Sequence, residues 1–183
     1  MEAVWVAGCS GYETTGVIHL LKGCGVSVRL FRPGERLRAG DTLILCFSSA
    51  PLLGWWRYLK ITQWVAYRYD IRLIVLCPDE VCRTDVVCGR NIVTVNGERS
   101  CIHLSLSLQQ TVQRCLPDGM PESQWDCVKS FLERASQTLR IFPVQESEDS
   151  AIRRAYQKRD LMVQRLGFVS LMKLKVFMAG FVG

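Results

Sequence analysis

The chain has 183 residues, a mass of 20.8 kDa, 49% hydrophobic and 22% charged residues, and a formal net charge of +6. That composition is enough to bury a core, which excludes an intrinsically disordered chain, and the length allows one or two small domains. Met1-Glu2 is acidic where a secretory leader is basic, and the longest uncharged run, Thr42 to Trp56, is interrupted by Ser48, Ser49, Pro51 and Gly54. Neither a signal peptide nor a bilayer span is therefore expected, and the expected location is the cytoplasm.

In chain order, Ala3 to Gly8 reads as a short buried strand. Thr14 to Lys22 follows as a helix with Val17, Leu20 and Leu21 on one face, stopped by Gly23 and Gly25. Val26 to Phe31 is a second strand, closed by Arg32-Pro33-Gly34, and Thr42 to Phe47 is a third whose unbroken apolar run suggests burial on both faces. Leu53 to Tyr69 is an aromatic-rich helix, Leu73 to Leu76 a fourth strand ended by Pro78, and Asn91 to Val95 a fifth. Asn96-Gly97 favours a tight hairpin with Ser100 to Leu104 as a return strand, before a helix from Leu106 to Leu116. Strands alternating with helices predict an α/β N-terminal domain, a mostly parallel sheet flanked by helices, over residues 1–117. Beyond a boundary near Pro117 to Met120, residues 120–183 lack strand alternation and predict a small all-α C-terminal domain.

Charge divides the two parts. Ala151 to Gly183 carries seven Lys or Arg (Arg153, Arg154, Lys158, Arg159, Arg165, Lys173, Lys175) against Asp160, a net +6, so the first 150 residues balance to zero. Ser123 to Leu132 is expected to bury Trp125, Val128, Phe131 and Leu132 on a helix, and Pro143 breaks the pattern. Glu146 to Asp149 then supplies cap candidates and first-turn acids for a second helix, about Ser150 to Leu166, with Ile152, Ala155, Met162 and Leu166 as its inner stripe. Gly167 suits a left-handed cap, and Ser170 can cap a final helix with Leu174, Phe177, Met178 and Phe181 on one side. A helix with basic and amide side chains near its start, followed by a glycine turn, can neutralise phosphates and read base edges. A solvated basic face with no ligand has the same charge pattern.

Lys158-Arg-Asp-Leu-Met-Val-Gln-Arg-Leu-Gly-Phe168, followed by Val-Ser-Leu-Met-Lys-Leu174, resembles the end of the LuxR/FixJ-type (NarL-like) helix-turn-helix. Arg165-Leu166-Gly167 stands for that family's Lys-Leu-Gly, and the likeness covers about Ile152 to Phe181. The resemblance implies that Arg153, Arg154, Gln157, Lys158 and Arg159 face double-stranded DNA, that Arg165 lies near a phosphate, and that Leu174, Phe177, Met178 and Phe181 serve dimerisation. The family's Leu-Thr-x-x-Glu opening is represented only by Met120-Pro-Glu-Ser-Gln124, and Ala135 to Glu148 lacks its usual scaffold helix.

The N-terminal half is similar in layout to a response-regulator receiver domain, with Asp41 to Cys46 and Asp70 to Leu76 in the places of its third and fourth strands. Its chemistry differs. Where a receiver holds Mg²⁺ with a carboxylate pair, the chain reads Ala7-Gly8-Cys9-Ser10, and the phosphoacceptor position falls on Cys46 or Phe47. Cys77 follows the fourth strand and no Lys-Pro follows the fifth. A degenerate receiver that neither binds Mg²⁺ nor accepts phosphate is expected.

Other chemistry finds little support. The nine cysteines (Cys9, Cys24, Cys46, Cys77, Cys82, Cys88, Cys101, Cys115, Cys127) are odd in number and lack Cys-x2-Cys pairs, and His19 and His103 have no partner His at metal spacing. Gly8, Gly11 and Gly16 form neither a dinucleotide fingerprint nor a P-loop, and nothing in the spacing of Ser10, His19 and Asp41 makes a triad. No metal, no cofactor and no enzyme activity are expected. Trp55, Trp56, Tyr58 and Trp64 read mainly as core, with any exposed remainder a protein contact. The resemblance as a whole is to the RcsA/GadE-like auxiliary regulators. It implies an atypical, phosphorylation-independent transcriptional regulator, acting as a homodimer or as a heterodimer with a response regulator of RcsB type. The alternatives are a protein-binding module that sequesters a regulatory partner, and a small α/β enzyme or nucleotide binder with a basic tail.

Overall fold

Five short apolar runs form the strands β1 (Val4–Gly8), β2 (Val28–Leu30), β3 (Thr42–Cys46), β4 (Arg72–Cys77) and β5 (Ile92–Asn96) in this computed structural model. It describes residues 3–32, 34–84, 86–87, 89, 91–113, 124–141 and 149–181. All neighbouring strands pair in parallel, in the order β2-β1-β3-β4-β5. The register sets Trp5 beside Arg29 and Leu43, Ile44 beside Ile74, and Leu76 beside Val95. Every residue of β3 is buried, as a central strand covered on both faces requires. Parallel strands need crossovers, which is why helices alternate with them.

Strand alternation sends Val6, Ile44, Cys46, Ile74 and Leu76 to one face, where Val17 and Leu21 of α1 (Gly11–Gly23) join them. Leu104 and Leu108 of α4 (Cys101–Gln113) complete that layer. Trp5, Leu43, Leu45, Leu73, Val75 and Cys77 point to the other face. There α2 (Trp56–Arg68) contributes Leu59 and Val65, and the four-residue α3 (Asp79–Cys82) contributes Val81.

One expectation is overturned. The segment after Asn96-Gly97 makes no hairpin. Gly97 N–H donates to Cys77 O, and the expected return strand Ser100 to Leu104 falls mostly within α4. Ile102, Leu104, Leu106 and Leu108 alternate in sequence like a strand, but burial follows the helical interval. Leu104 and Leu108, four apart, are buried, whereas Ile102 and Leu106 are exposed. Gly97 is a point of close approach instead of a hairpin residue, because a Cβ there would lie 2.2 Å from Ser48 Oγ.

Three further helices, α5 (Gln124–Leu139), α6 (Asp149–Arg165) and α7 (Leu171–Phe177), join the apolar cluster of that second side, in contact with the start of α2 and with α3 and the residues after it. α5 extends past the expected Leu132, burying Ala135 and Thr138 beyond Val128 and Phe131. The expected boundary near Pro117 to Met120 lies outside the described residues, as do Pro143, Glu146 to Glu148 and the side chain of Trp125. On either side of that boundary, the sheet and α5–α7 share one apolar cluster running from Leu43 and Leu73 through Trp55 to Phe131, Phe168 and Phe177. Trp55 stacks on Phe177 at 6.2 Å between ring centroids, and Phe177 meets Phe131 and Phe168 at 6.0 and 5.2 Å. Polar contacts fix the same seam. Gly54 N–H donates to Val176 O at 2.9 Å, the Trp56 indole to Ala179 O at 3.0 Å, and Lys173 Nζ to Glu80 Oε1 at 2.5 Å.

Candidate nucleic-acid interface

α6 carries the basic residues on a continuous helix. Arg153, Arg154, Gln157 and Lys158 are all exposed, and their spacing of one, four and five residues places them on one face. Arg159 is half-buried, with its guanidinium 4.8 Å from the Tyr156 ring and a buried Nε that lacks a hydrogen-bond partner. Arg165 is exposed in the last turn, where a cation also favours the helix dipole.

The inner face of α6 differs slightly from the expected stripe. Val163 and Leu166 are buried, while Ile152, Ala155 and Met162 are half-buried. Gly167 ends the helix at φ 84°, and a Cβ there would sit 2.6 Å from Arg83 O, so space and conformation both demand glycine. Ser170 caps α7 by accepting the Lys173 N–H.

The four residues assigned to dimerisation lie on α7 and just after it. Leu174 and Phe177 are fully buried, Met178 is buried beside them, and Phe181 packs edge-on against Trp56 at 5.2 Å. Their apolar side is already covered by Trp55, Trp56 and α5 of the same chain. A helix exposed on a small isolated module would need a partner for this face. Here Trp55, Trp56 and Phe131 of the same chain provide it.

The receiver-like positions hold a closed polar network. Gly8 lies so close to β3 that a Cβ would be 2.6 Å from Cys46 O. Cys46, at the expected phosphoacceptor position, is fully buried, and burial together with the Glu13 charge pushes its thiol far above the usual range. Glu13, in the first turn of α1, takes four hydrogen bonds across the carboxyl ends of β1 and β3. Its Oε1 accepts from Ser48 N and Oγ at 3.0 and 2.5 Å, and its Oε2 from Ser49 N and Oγ at 3.1 and 2.5 Å. Glu13 had no sequence signal beyond being an acid near a helix start. Ser10 caps α1 at this end, whereas Asp41 precedes β3 at the opposite end, so Ser10, His19 and Asp41 form no constellation.

Asp41 is the other polar residue that the sequence underrated. Its carboxylate, 4% exposed, accepts from Ala3 N at 2.9 Å, Trp5 Nε1 at 3.2 Å and Arg38 N at 3.0 Å. Burial alone would raise its pKa. The hydrogen bonds and the Arg38 charge outweigh burial and hold it below the ordinary carboxylate value. Among the described residues no group of three His, Cys, Asp or Glu side chains gathers as a metal site, and no helix is long and apolar enough to cross a membrane. Trp55 is core as expected, while Trp64 is 55% exposed.

No family model and no curated protein matches the chain. Among solved structures, the regulatory domain of the master biofilm regulator CsgD is similar over 71% of this chain and 99% of that one, with 15% identity and a TM-score of 0.46. The response regulator StyR is similar over 94% of this chain and 96% of that one, with 15% identity and a TM-score of 0.32. At these scores neither likeness decides fold or function. The parallel five-stranded sheet flanked by helices stands on the strand pairing itself.

Proposed function

We propose that the chain is a phosphorylation-independent transcriptional regulator that binds double-stranded DNA through α6. The supporting observation is the exposed face of Arg153, Arg154, Gln157 and Lys158, three cations and an amide on one side of α6, the side-chain types that contact phosphates and base edges. Arg165, exposed in the last turn of α6, extends the same cationic surface, whereas Arg159 is half-buried against Tyr156. α6, the Gly167 turn and the Ser170-capped α7 supply the helix, turn and helix that the LuxR/FixJ resemblance implies. Independence from phosphate is supported by the buried Cys46 at the expected acceptor position and by Glu13, whose two oxygens are occupied by Ser48 and Ser49.

One helix reads only a few base pairs, so specificity calls for two. A homodimer or a heterodimer with a response regulator of RcsB type would use surface other than Leu174, Phe177 and Met178. A second reading, a module that sequesters a regulatory partner, is supported by Ile61 and Trp64 on α2, which are 45% and 55% exposed.

The test is fluorescence anisotropy with duplexes selected from a random pool, across a salt series. The wild-type chain should bind with a steep salt dependence. The double variant Arg154→Glu/Lys158→Glu should lose roughly 100-fold or more in affinity, and the magnitude of its log–log salt slope should fall by about 2. Undiminished DNA binding by that variant would overturn the assignment to α6.

A further inference from the structure

The connection from β2 to β3, residues 31–41, contains no helix among its described residues, whereas every other crossover in the sheet carries one. A crossover helix would normally cover the sheet at this edge. Its absence leaves a cavity of about 780 Å3 against β1 and the edge strand β2, within the volume range of small-molecule sites. Arg29, Arg36 and Arg38 line it, together with Trp5, Leu37 and Ser27.

The three arginines come from two elements. Arg29 lies on β2 beside Trp5 in the strand register, and Arg36 and Arg38 lie on the crossover. Among the described residues, none of the three has a side-chain hydrogen bond or salt bridge. Two carboxylates also line the cavity, but both are engaged by the chain. Glu35 accepts the Arg32 N–H at 2.6 Å, and Asp41 accepts from Ala3, Trp5 and Arg38 as described above. Asp41 and Arg38 also bond reciprocally, since Asp41 N–H donates to Arg38 O at 3.0 Å. The loop carrying Arg38 is thus held in place before any ligand arrives. Phe31, edge-on to Trp5 at 6.1 Å, adds an apolar neighbour behind the Trp5 wall.

From this geometry we infer that the cavity is a binding site for a small phosphate monoester with a flat apolar body. A carboxylate occupies one guanidinium fork, whereas three arginines match the three terminal oxygens of a phosphoryl group. Trp5 and Leu37 would flank the body. An aryl phosphate and a mononucleotide share this chemistry. The site lies at the amino end and edge of the sheet, away from the strand-end crevice that Glu13 closes, so it is independent of receiver chemistry and of α6.

Isothermal titration of the full chain with phenyl phosphate, adenosine 5′-monophosphate, inorganic phosphate and benzoate tests this. Saturable binding of at least one of the two esters, at least tenfold tighter than inorganic phosphate or benzoate, is expected, and the tighter ester identifies the source. Arg36→Ala/Arg38→Ala should lose tenfold or more, and because both residues are exposed and the Asp41 hydrogen bonds come from backbone N–H groups and Trp5, its unfolding midpoint should fall only slightly, through the lost Arg38 charge beside Asp41. The α6 variant Arg154→Glu/Lys158→Glu should bind the ester normally, which separates this site from the proposed DNA surface. No saturable heat with either ester at millimolar concentration, equal affinity for benzoate, or undiminished binding by the arginine variant would overturn the proposal.

Discussion

The two faces of the sheet are covered in different ways. On one, α1 and α4 lie along the strands and close a conventional layer around Val6, Ile44 and Leu76. On the other, α2 is the one full-length crossover helix, because the β2–β3 connection has none and α3 spans four residues. α5–α7 bring Val128, Phe131, Leu166, Phe168, Leu174 and Phe177 to that side. The difference teaches that the C-terminal helices serve two ends at once. Their inner sides complete the core of the α/β unit, and the outer side of α6 carries the charge. It also explains why the residues expected to dimerise are buried, since their apolar face found a partner within the chain.

The sharpest way to break this comparison is a pair of matched cavities. Phe177→Ala removes a fully buried ring on the second face and should cost about 3–5 kcal/mol, and Leu108→Ala on the first face about 2–5 kcal/mol. Phe177→Ala should also shift the emission of Trp55, which stacks on it, and urea denaturation should show one transition by fluorescence and by circular dichroism. A main transition unmoved in Phe177→Ala would show that α5–α7 fold apart from the sheet.

A smaller effect is expected at Asp41, on the less covered side. Asp41→Asn should cost about 1–3 kcal/mol near neutral pH, because a buried acceptor of three hydrogen bonds is weakened. Its lowered carboxyl pKa fixes the sign of the pH dependence. The stabilisation is present above the ordinary carboxylate value of about 3.9 and is lost as pH falls through the lower folded value. Wild-type stability should therefore drop in acid more than that of Asp41→Asn, which urea midpoints from pH 7 to pH 3 will check.

The smallest effect belongs to the seam's surface. Lys173 pairs with Glu80, and this contact holds the Glu80 carboxyl below its usual range despite partial burial. The pair is largely solvated, so Lys173→Ala should cost only about 0.2–1 kcal/mol by thermal or urea unfolding, and less at high salt. A larger loss would mean that the seam depends on charge more than on Phe177 and Trp55.

Strand positions were legible because buried parallel strands are continuous apolar runs, as Thr42 to Cys46 shows. α6, the Gly167 turn and the Ser170 cap were legible because helical periodicity, left-handed glycine and N-cap chemistry are local. α4 was misjudged where alternation and helical spacing coincide, at Ile102 to Leu108. Glu13 and Asp41 were not legible as network centres. Their partners lie 35 and 36 residues away, as Ser48 and Trp5 do, and no local pattern records such pairs.

By itself, then, the sequence determined the order of the five parallel strands, the neutral first part and the concentration of positive charge on one C-terminal helix. All of these follow from composition and short-range periodicity. Only the tertiary structure decided which apolar faces meet. The burial of Leu174, Phe177 and Met178 depends on Trp55 and on α5, which cover them from elsewhere in the chain. The arginine-lined cavity beside Trp5 depends on the β2–β3 connection having no helix among its described residues, because where no helix covers a sheet, either another element packs there or a cavity remains.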